Sequence, residues 1–245
     1  MAFGEIGLAG QRALQAASAL IVGVGGLGSW VAELLARGGL GRLVIADADR
    51  VDMTNIHRQG LYDQSDAAAG EPKVLAATRR LAAINSQVVV QPHQLRVDAG
   101  NLAELAGDTD LIIDGTDNFH TRFIINDYSV KHSLPWIFAG VVSAEAQMMP
   151  VIPPATACLR CVLADPPPPC TDPTCRQAGV LGPAVATIAS MQAIEAIKIL
   201  AGRTDAVSPY LTKLDFWTNQ IQRINATRSP DCPCCAQRHF DYLDA

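Results

Sequence analysis

Residues 18–47 read SALIVGVGGLGSWVAELLARGGLGRLVIAD. Residues 18–24 form a short aliphatic and β-branched run, glycines follow, and from Ser29 to Arg37 apolar residues recur at helical intervals. This succession spells strand, tight turn and helix. A second buried strand, 43–46, ends at Asp47, so the stretch makes one βαβ unit. Its turn is a G-x-G-x-x-G loop with Gly23, Gly25, Gly26 and Gly28. Glycines let the backbone turn sharply and approach a ligand, while N–H groups and the positive end of the helix dipole favour phosphate. Asp47 follows the loop by about 20 residues, where a strand-end carboxylate reaches ribose hydroxyls. Up to this point a dehydrogenase and an ATP enzyme read alike.

Outward from this unit, helical spacing is predicted over 73–85, 122–132 and 184–200, and strands over 88–91, 110–114, 136–142, 210–216 and 221–226. Short buried strands alternating with helices predict an α/β fold, a Rossmann-like, doubly wound and mainly parallel sheet. From about 153 to 182 the chain holds a run of four prolines, Pro166 to Pro169, and four cysteines, with little periodicity. This reads as a loop-rich insert, and a cysteine-bearing tail, about 230–245, closes what is read as one domain spanning 1–245.

The whole chain has 245 residues, 49% of them hydrophobic and 18% charged, enough to bury a sizeable core. A net charge of −5, from 24 acidic and 19 basic residues, argues against nucleic acid or an anionic membrane surface as partner. Two charge-free stretches, 13–32 and 177–194, approach the length of a membrane helix. The glycines of the first and the Gly179, Gly182 and Pro183 of the second make both read as buried elements. The N-terminus lacks a basic start followed by an apolar core, so a cytoplasmic protein is expected.

The segment after Asp47, DADRVDMTNIHRQ, sets Asn55, Arg58 and Gln59 just beyond the ribose carboxylate, and Lys73 follows in GEPK. A redox cofactor does not require such a set. A triphosphate under attack does, because arginine offers a planar fork to phosphate oxygens and lysine a compact charge. Asp114-Gly115-Thr116-Asp117-Asn118, at the end of a strand, adds a carboxylate able to hold Mg²⁺. Among five histidines, His57 lies within the phosphate motif, and neither it nor the others is assigned a role.

All seven cysteines fall at or after residue 158, and an odd count points to metal or thiol chemistry before a disulfide framework. Cys158-x-x-Cys161 and Cys232-x-x-Cys235 can each clamp two corners of a tetrahedron, together a closed zinc site. Cys234 could stand in as a ligand, though adjacent Cys234 and Cys235 would not serve together.

In this order, GVGGLG, DADRVDMTNIHRQ, GEPK, DGTDN, CLRC, CRQAGVLG and CPCC resemble the ThiF/MoeB/HesA adenylyltransferases, bacterial relatives of the ubiquitin-activating enzymes, from about Gly7 to Cys235. The resemblance implies ATP-dependent adenylation of the C-terminal carboxylate of a small ubiquitin-like sulfur-carrier protein by a homodimer. It places Asp47 on the ribose, Asn55, Arg58 and Lys73 on the phosphates, Asp117 on Mg²⁺ and Zn²⁺ on the four paired cysteines. Gln59 would help hold the nucleotide. Arg58, Lys73 and Asp117 would carry the adenylation, and Cys175 would join the activated carrier through sulfur.

Three features depart from the family pattern. An Arg-Tyr-x-Arg-Gln segment, whose arginine reaches a nucleotide site, has no counterpart here, so one phosphate-binding cation fewer is expected. The stretch from Arg58 to Lys73 runs about two residues long, which calls for a different path to bring Lys73 to the phosphates. Ala146 stands where the family usually has glycine. These departures keep two other readings open, adenylation of a small molecule or peptide and a nucleotide-binding scaffold without turnover. An NAD(P)-dependent oxidoreductase is disfavoured by the Asn55, Arg58, Lys73 and Asp117 set.

Overall fold

The computed structural model describes residues 3–167 and 179–244. Its eight strands lie in the order β3-β2-β1-β4-β5-β6-β7-β8. Strands β1 (Ser18–Val22), β2 (Arg42–Ala46), β3 (Val89–His93), β4 (Leu111–Asp114) and β5 (Trp136–Val142) pair in parallel. Strands β6 (Glu145–Val151), β7 (Tyr210–Asp215) and β8 (Gln220–Asn225) then continue the sheet through antiparallel pairs. The expected doubly wound, mainly parallel sheet is present.

All five residues of β1 are buried. Successive side chains of a strand point to opposite faces, so a strand covered on both sides is apolar throughout. Ala19 and Ile21 face one core together with Leu43, Ile45, Leu111 and Ile113; Leu20 and Val22 face the other with Val44, Ala46 and Ile112. The first face is covered by α1 (Gly7–Ala16), α2 (Gly26–Gly38), α4 (Lys73–Ile84) and α8 (Gly182–Leu200). Helices α5 (Leu102–Ala106), α6 (Phe119–His132) and α7 (Leu159–Val162) and the C-terminal tail cover the second.

Helix α8 has the length and apolar composition to cross a membrane. Here it packs on α2 and β5, with Val185, Ile188, Ala189 and Ala196 in the core, as its sequence led us to expect of a buried element. Between Arg58 and Lys73 the chain forms α3 (Gln64–Ala69), opened by a capping box of Asp63 and Asp66 and closed by Gly70 in the left-handed region, and α4 begins at Lys73.

The glycines of the β1–α2 turn have different duties. A Cβ on Gly28 would sit 1.9 Å from the Gly23 carbonyl oxygen, so Gly28 lets α2 press onto the end of β1. A Cβ on Gly26 would meet a side-chain methyl of Val185 at 3.2 Å, a neighbour that can yield. Gly28→Ala is therefore expected to lower unfolding free energy by about 3 kcal/mol in urea titrations, and Gly26→Ala by less than about 1 kcal/mol.

Candidate functional site

A cleft of about 1200 Å³ opens at the C-terminal ends of β1, β2 and β4, lined among others by Gly23, Gly25, Gly26, Asp47, Asp49, Arg58, Lys73 and Asp117. This is where winding about the sheet reverses, the place at which open α/β sheets bind ligands.

Asp47 joins the parts. One of its oxygens accepts the Val24 amide at 2.9 Å and the other the Asp49 amide at 2.8 Å. Each carboxylate oxygen has two lone pairs, which leaves capacity for ribose hydroxyls. Burial pushes the Asp47 carboxyl up from its ordinary range, while nearby Lys73 and the two backbone donors pull it back. Tyr62 supports the same loop from beneath, its hydroxyl donating to the Val24 carbonyl at 2.7 Å. Burial holds that phenol well above its usual value, so it stays a neutral donor.

Lys73 begins α4 and is buried, its ammonium 2.9 Å from Asp49 and 4.0 Å from Asp47. Its backbone amide also bonds the Asp49 carbonyl at 3.0 Å, fixing where the side chain starts. Arg58 reaches the cleft from the segment after β2, with its guanidinium donating to Asn55 Oδ1 and, at 3.3 Å, to the Thr54 carbonyl. Trp30 of α2 donates from Nε1 to the Arg58 carbonyl at 3.1 Å and so docks this segment against the helix.

The residues expected at the nucleotide separate into two groups. Gly23, Gly25, Gly26, Asp47, Arg58, Lys73 and Asp117 line the cleft. Gly28 is a packing contact, Asn55 holds Arg58, and Gln59 is buried under the glycine loop, its Nε2 3.6 Å from where a Gly25 Cβ would lie. Of the two carboxylates in DGTDN, Asp114 is fully buried and paired with Arg122 at 2.9 Å, whereas Asp117 is exposed to the cleft. Of the two, only Asp117 is open to the cleft, and a carboxylate so placed suits Mg²⁺, which is bound through one or two carboxylates with phosphates and water. Asp49 and Arg122 carry site contacts that sequence reading did not single out. Ala146, the departure from the family glycine, is buried in β6 opposite Leu214 and Val141.

A second centre lies on the opposite core. The Sγ atoms of Cys158, Cys161, Cys232 and Cys235 all fall within 4.8 Å of one another, with separations of 3.9 Å for 158–161, 3.6 Å for 158–232 and 3.3 Å for 161–235. A tetrahedron with Zn–S bonds of about 2.3 Å has edges of roughly 3.8 Å, so the thiolates fit zinc. A hydrogen bond with Cys234 and burial push the Cys158 thiol up, and burial does the same to Cys235; a metal cation is what would offset that cost and hold such sulfurs as thiolates. Cys234, the alternative ligand, is not among the four clustered sulfurs and accepts from Asn126 Nδ2 at 3.4 Å. Cys170 and Cys175 lie outside the described residues.

The fold and the glycine-loop cleft have the form of an α/β nucleotide-binding enzyme, and the four-cysteine clasp lies on the other face of the sheet. The ThiF family matches residues 1–234, and the chain belongs to it. It is 39% identical over 243 residues to the sulfur carrier protein ThiS adenylyltransferase of Bacillus subtilis, covering 98% of this chain and 71% of that protein. The sulfur carrier protein adenylyltransferase of Thermus thermophilus is 36% identical, with 94% and 86% covered. Likeness on this scale makes the chain an adenylyltransferase. Among solved structures, Escherichia coli MccB superposes with a TM-score of 0.84 at 26% identity, over 95% of this chain and 68% of that one.

The clasp makes a direct prediction. Elemental analysis should find one zinc per chain, retained in Cys234→Ser and lost in Cys235→Ser, with a lower thermal midpoint in the second variant. Equal zinc content in both would mean that Cys234 can take the fourth corner.

Proposed function

We propose that the protein activates the C-terminal carboxylate of a small ubiquitin-like sulfur-carrier protein as an acyl adenylate, consuming ATP and releasing pyrophosphate. It does so as one cytoplasmic adenylation domain, working as a homodimer with Mg²⁺ at Asp117 and Zn²⁺ in the cysteine clasp. The observation that carries this reading is the convergence of Asp47, Arg58, Lys73 and Asp117 on one cleft at the glycine loop. The carrier as substrate follows the two relatives named for it.

In the proposed reaction a carboxylate oxygen attacks the α-phosphorus, and the bond from that phosphorus to the oxygen bridging to the β-phosphate breaks. The electron pair leaves with pyrophosphate. No side-chain base is required, because a carboxylate is already ionised at pH 7. The difficulty is that two anions must meet. Asp47 and the glycine loop orient ribose and phosphates, while Arg58 and Lys73 offset charge on the transferring and leaving groups. Mg²⁺, held by Asp117, would supply positive charge to offset that of the phosphates. Cys175 would act later, once the adenylate exists.

A second reading, adenylation of a peptide carboxylate, draws on the likeness to MccB, which has been solved with ATP and, separately, with N-formylated MccA. Exchange of labelled pyrophosphate into ATP, with sulfur carriers, peptides and small acids offered in turn, separates the two by which acceptor supports exchange. With that acceptor, Arg58→Ala and Asp117→Ala should each lower exchange by on the order of a hundredfold, the scale of removing one preorganised electrostatic contact. Cys175→Ala should leave it intact. Full exchange in both of the first two variants would refute the site. ATP with Mg²⁺ should also protect the fold against heat more than NAD⁺ does.

A further inference from the structure

Arg122 stands on the first turn of α6 and lines the cleft, where a buried guanidinium invites assignment as one more phosphate ligand. Its contacts point elsewhere. Nε donates to Asp114 Oδ2 at 2.9 Å, and Nη2 donates to the carbonyls of Thr116 at 2.8 Å and Ala139 at 3.0 Å. The guanidinium carbon lies 4.9 Å from the ring centre of Phe119 and 5.2 Å from that of Phe138. The side chain is 7% exposed and its carboxylate partner 0%.

We propose that Arg122 is a positioning residue that holds Asp117 in place for the metal–nucleotide complex. The inference rests on the reading of Asp117 given above. Asp117 lies between two residues whose own groups are tied down. On one side, the Thr116 amide and hydroxyl donate to Asp114 Oδ1 at 2.9 and 2.6 Å, and its carbonyl is gripped by Arg122. On the other, Asn118 Oδ1 accepts the Thr121 amide at 2.9 Å and caps α6. Arg122 therefore acts on both flanks of Asp117: it binds Thr116 directly, orients the Asp114 carboxylate that binds Thr116, and belongs to the helix that Asn118 caps.

A buried ion pair is a poor device for stability alone, since desolvation offsets most of its attraction. A planar fork is a good device for fixing two carbonyls and a carboxylate at set distances, and lysine cannot reproduce it. With its charge matched by Asp114, Arg122 has little left for phosphate. Its effect on catalysis then passes through Asp117, whose carboxylate it leaves open to the cleft.

The test is calorimetric titration of the zinc-loaded full chain with ATP, without acceptor, in MgCl₂ and again in EDTA. Arg122→Lys should lose at least about tenfold of the affinity that Mg²⁺ adds, the usual cost of removing a group that orients a metal ligand, while affinity in EDTA stays within a factor of about three. Asp117→Asn should lose the same increment, and the double variant should lose no more than Asp117→Asn. If Arg122→Lys does not fold, Thr116→Val, which removes one of the turn's bonds and keeps the ion pair, should shift the same increment in the same direction. Equal weakening with and without Mg²⁺, or an undiminished Mg²⁺ increment in the folded variant, overturns the inference. An undiminished increment in Asp117→Asn overturns the reading of Asp117 and the inference with it. Loss in Asp117→Asn but not in Arg122→Lys or Thr116→Val overturns the inference alone.

Discussion

Strands β1 and β4 lie side by side, and the chain leaves both at the same level, in turns that almost touch. A Cβ on Gly115 would fall 2.1 Å from the Gly23 carbonyl oxygen, and one on Gly23 would fall 2.8 Å from that of Gly115. From β1 the chain winds outward to β2 and β3, and from β4 it winds the other way to β5. Connections that part in this manner leave a crevice with no helix above it. With any side chain at either glycine, the DGTDN turn and the glycine loop could not face each other across one ligand. Asp47, Lys73 and Asp117 line one cleft across that contact, which is backbone against backbone.

The cleft also shows how an acidic chain keeps cations at the glycine loop. Lys73 is matched by Asp49, and Arg122 by Asp114. The hydrogen bonds of Arg58 described above go to neutral oxygens, on Asn55 and Thr54. These differences rank the three groups for phosphate. A guanidinium held by neutral acceptors keeps its full charge for a ligand, whereas a paired one offers only the remainder. Asp49 is mostly exposed while Asp114 is buried, so the Lys73 pair sits in a higher effective dielectric and is cheaper to loosen. Arg58 and Lys73 are thus suited to meet phosphates, and Arg122 to stay where it is.

Much of this was legible in the sequence because it is local. The strand, turn and helix of residues 18–38, the carboxylate ending β2 and the paired cysteine motifs depend on neighbours within a few positions. The helix expected over 73–85 forms as Lys73–Ile84, and the strand expected over 136–142 forms unchanged. Other features depend on distant partners. Strand β6, EAQMMPV, lacks β-branched alternation and exists because β5 and β7 flank it. Helix α1 went unread because glycines and polar residues interrupt its apolar positions, and Leu14 is its main anchor in the core. Cys234 bonds Asn126, a partner more than a hundred positions away that no local pattern reveals. Arg122 and Asp114 are joined across a strand end, a turn and a helix start, a path with no periodicity to betray it.

Helix α6 links the two centres. Its first turn holds Asn118 and Arg122 at the cleft; one turn later, Asn126 accepts the Leu159 amide at 2.8 Å and donates to Cys234, while Asp127 accepts the Tyr242 amide at 3.2 Å. Arg160 adds contacts to Asp241 and the Tyr242 ring, drawing α7 and the tail onto the same stretch of helix. Residues four apart on a helix share a face, so the rotation that seats Asn126 against the cysteine clasp also sets the direction in which Arg122 leaves the helix. Packed against α7 and the tail at Asn126 and Asp127, the helix keeps one rotational setting, and that setting is the one in which Arg122 grips the turn bearing Asp117.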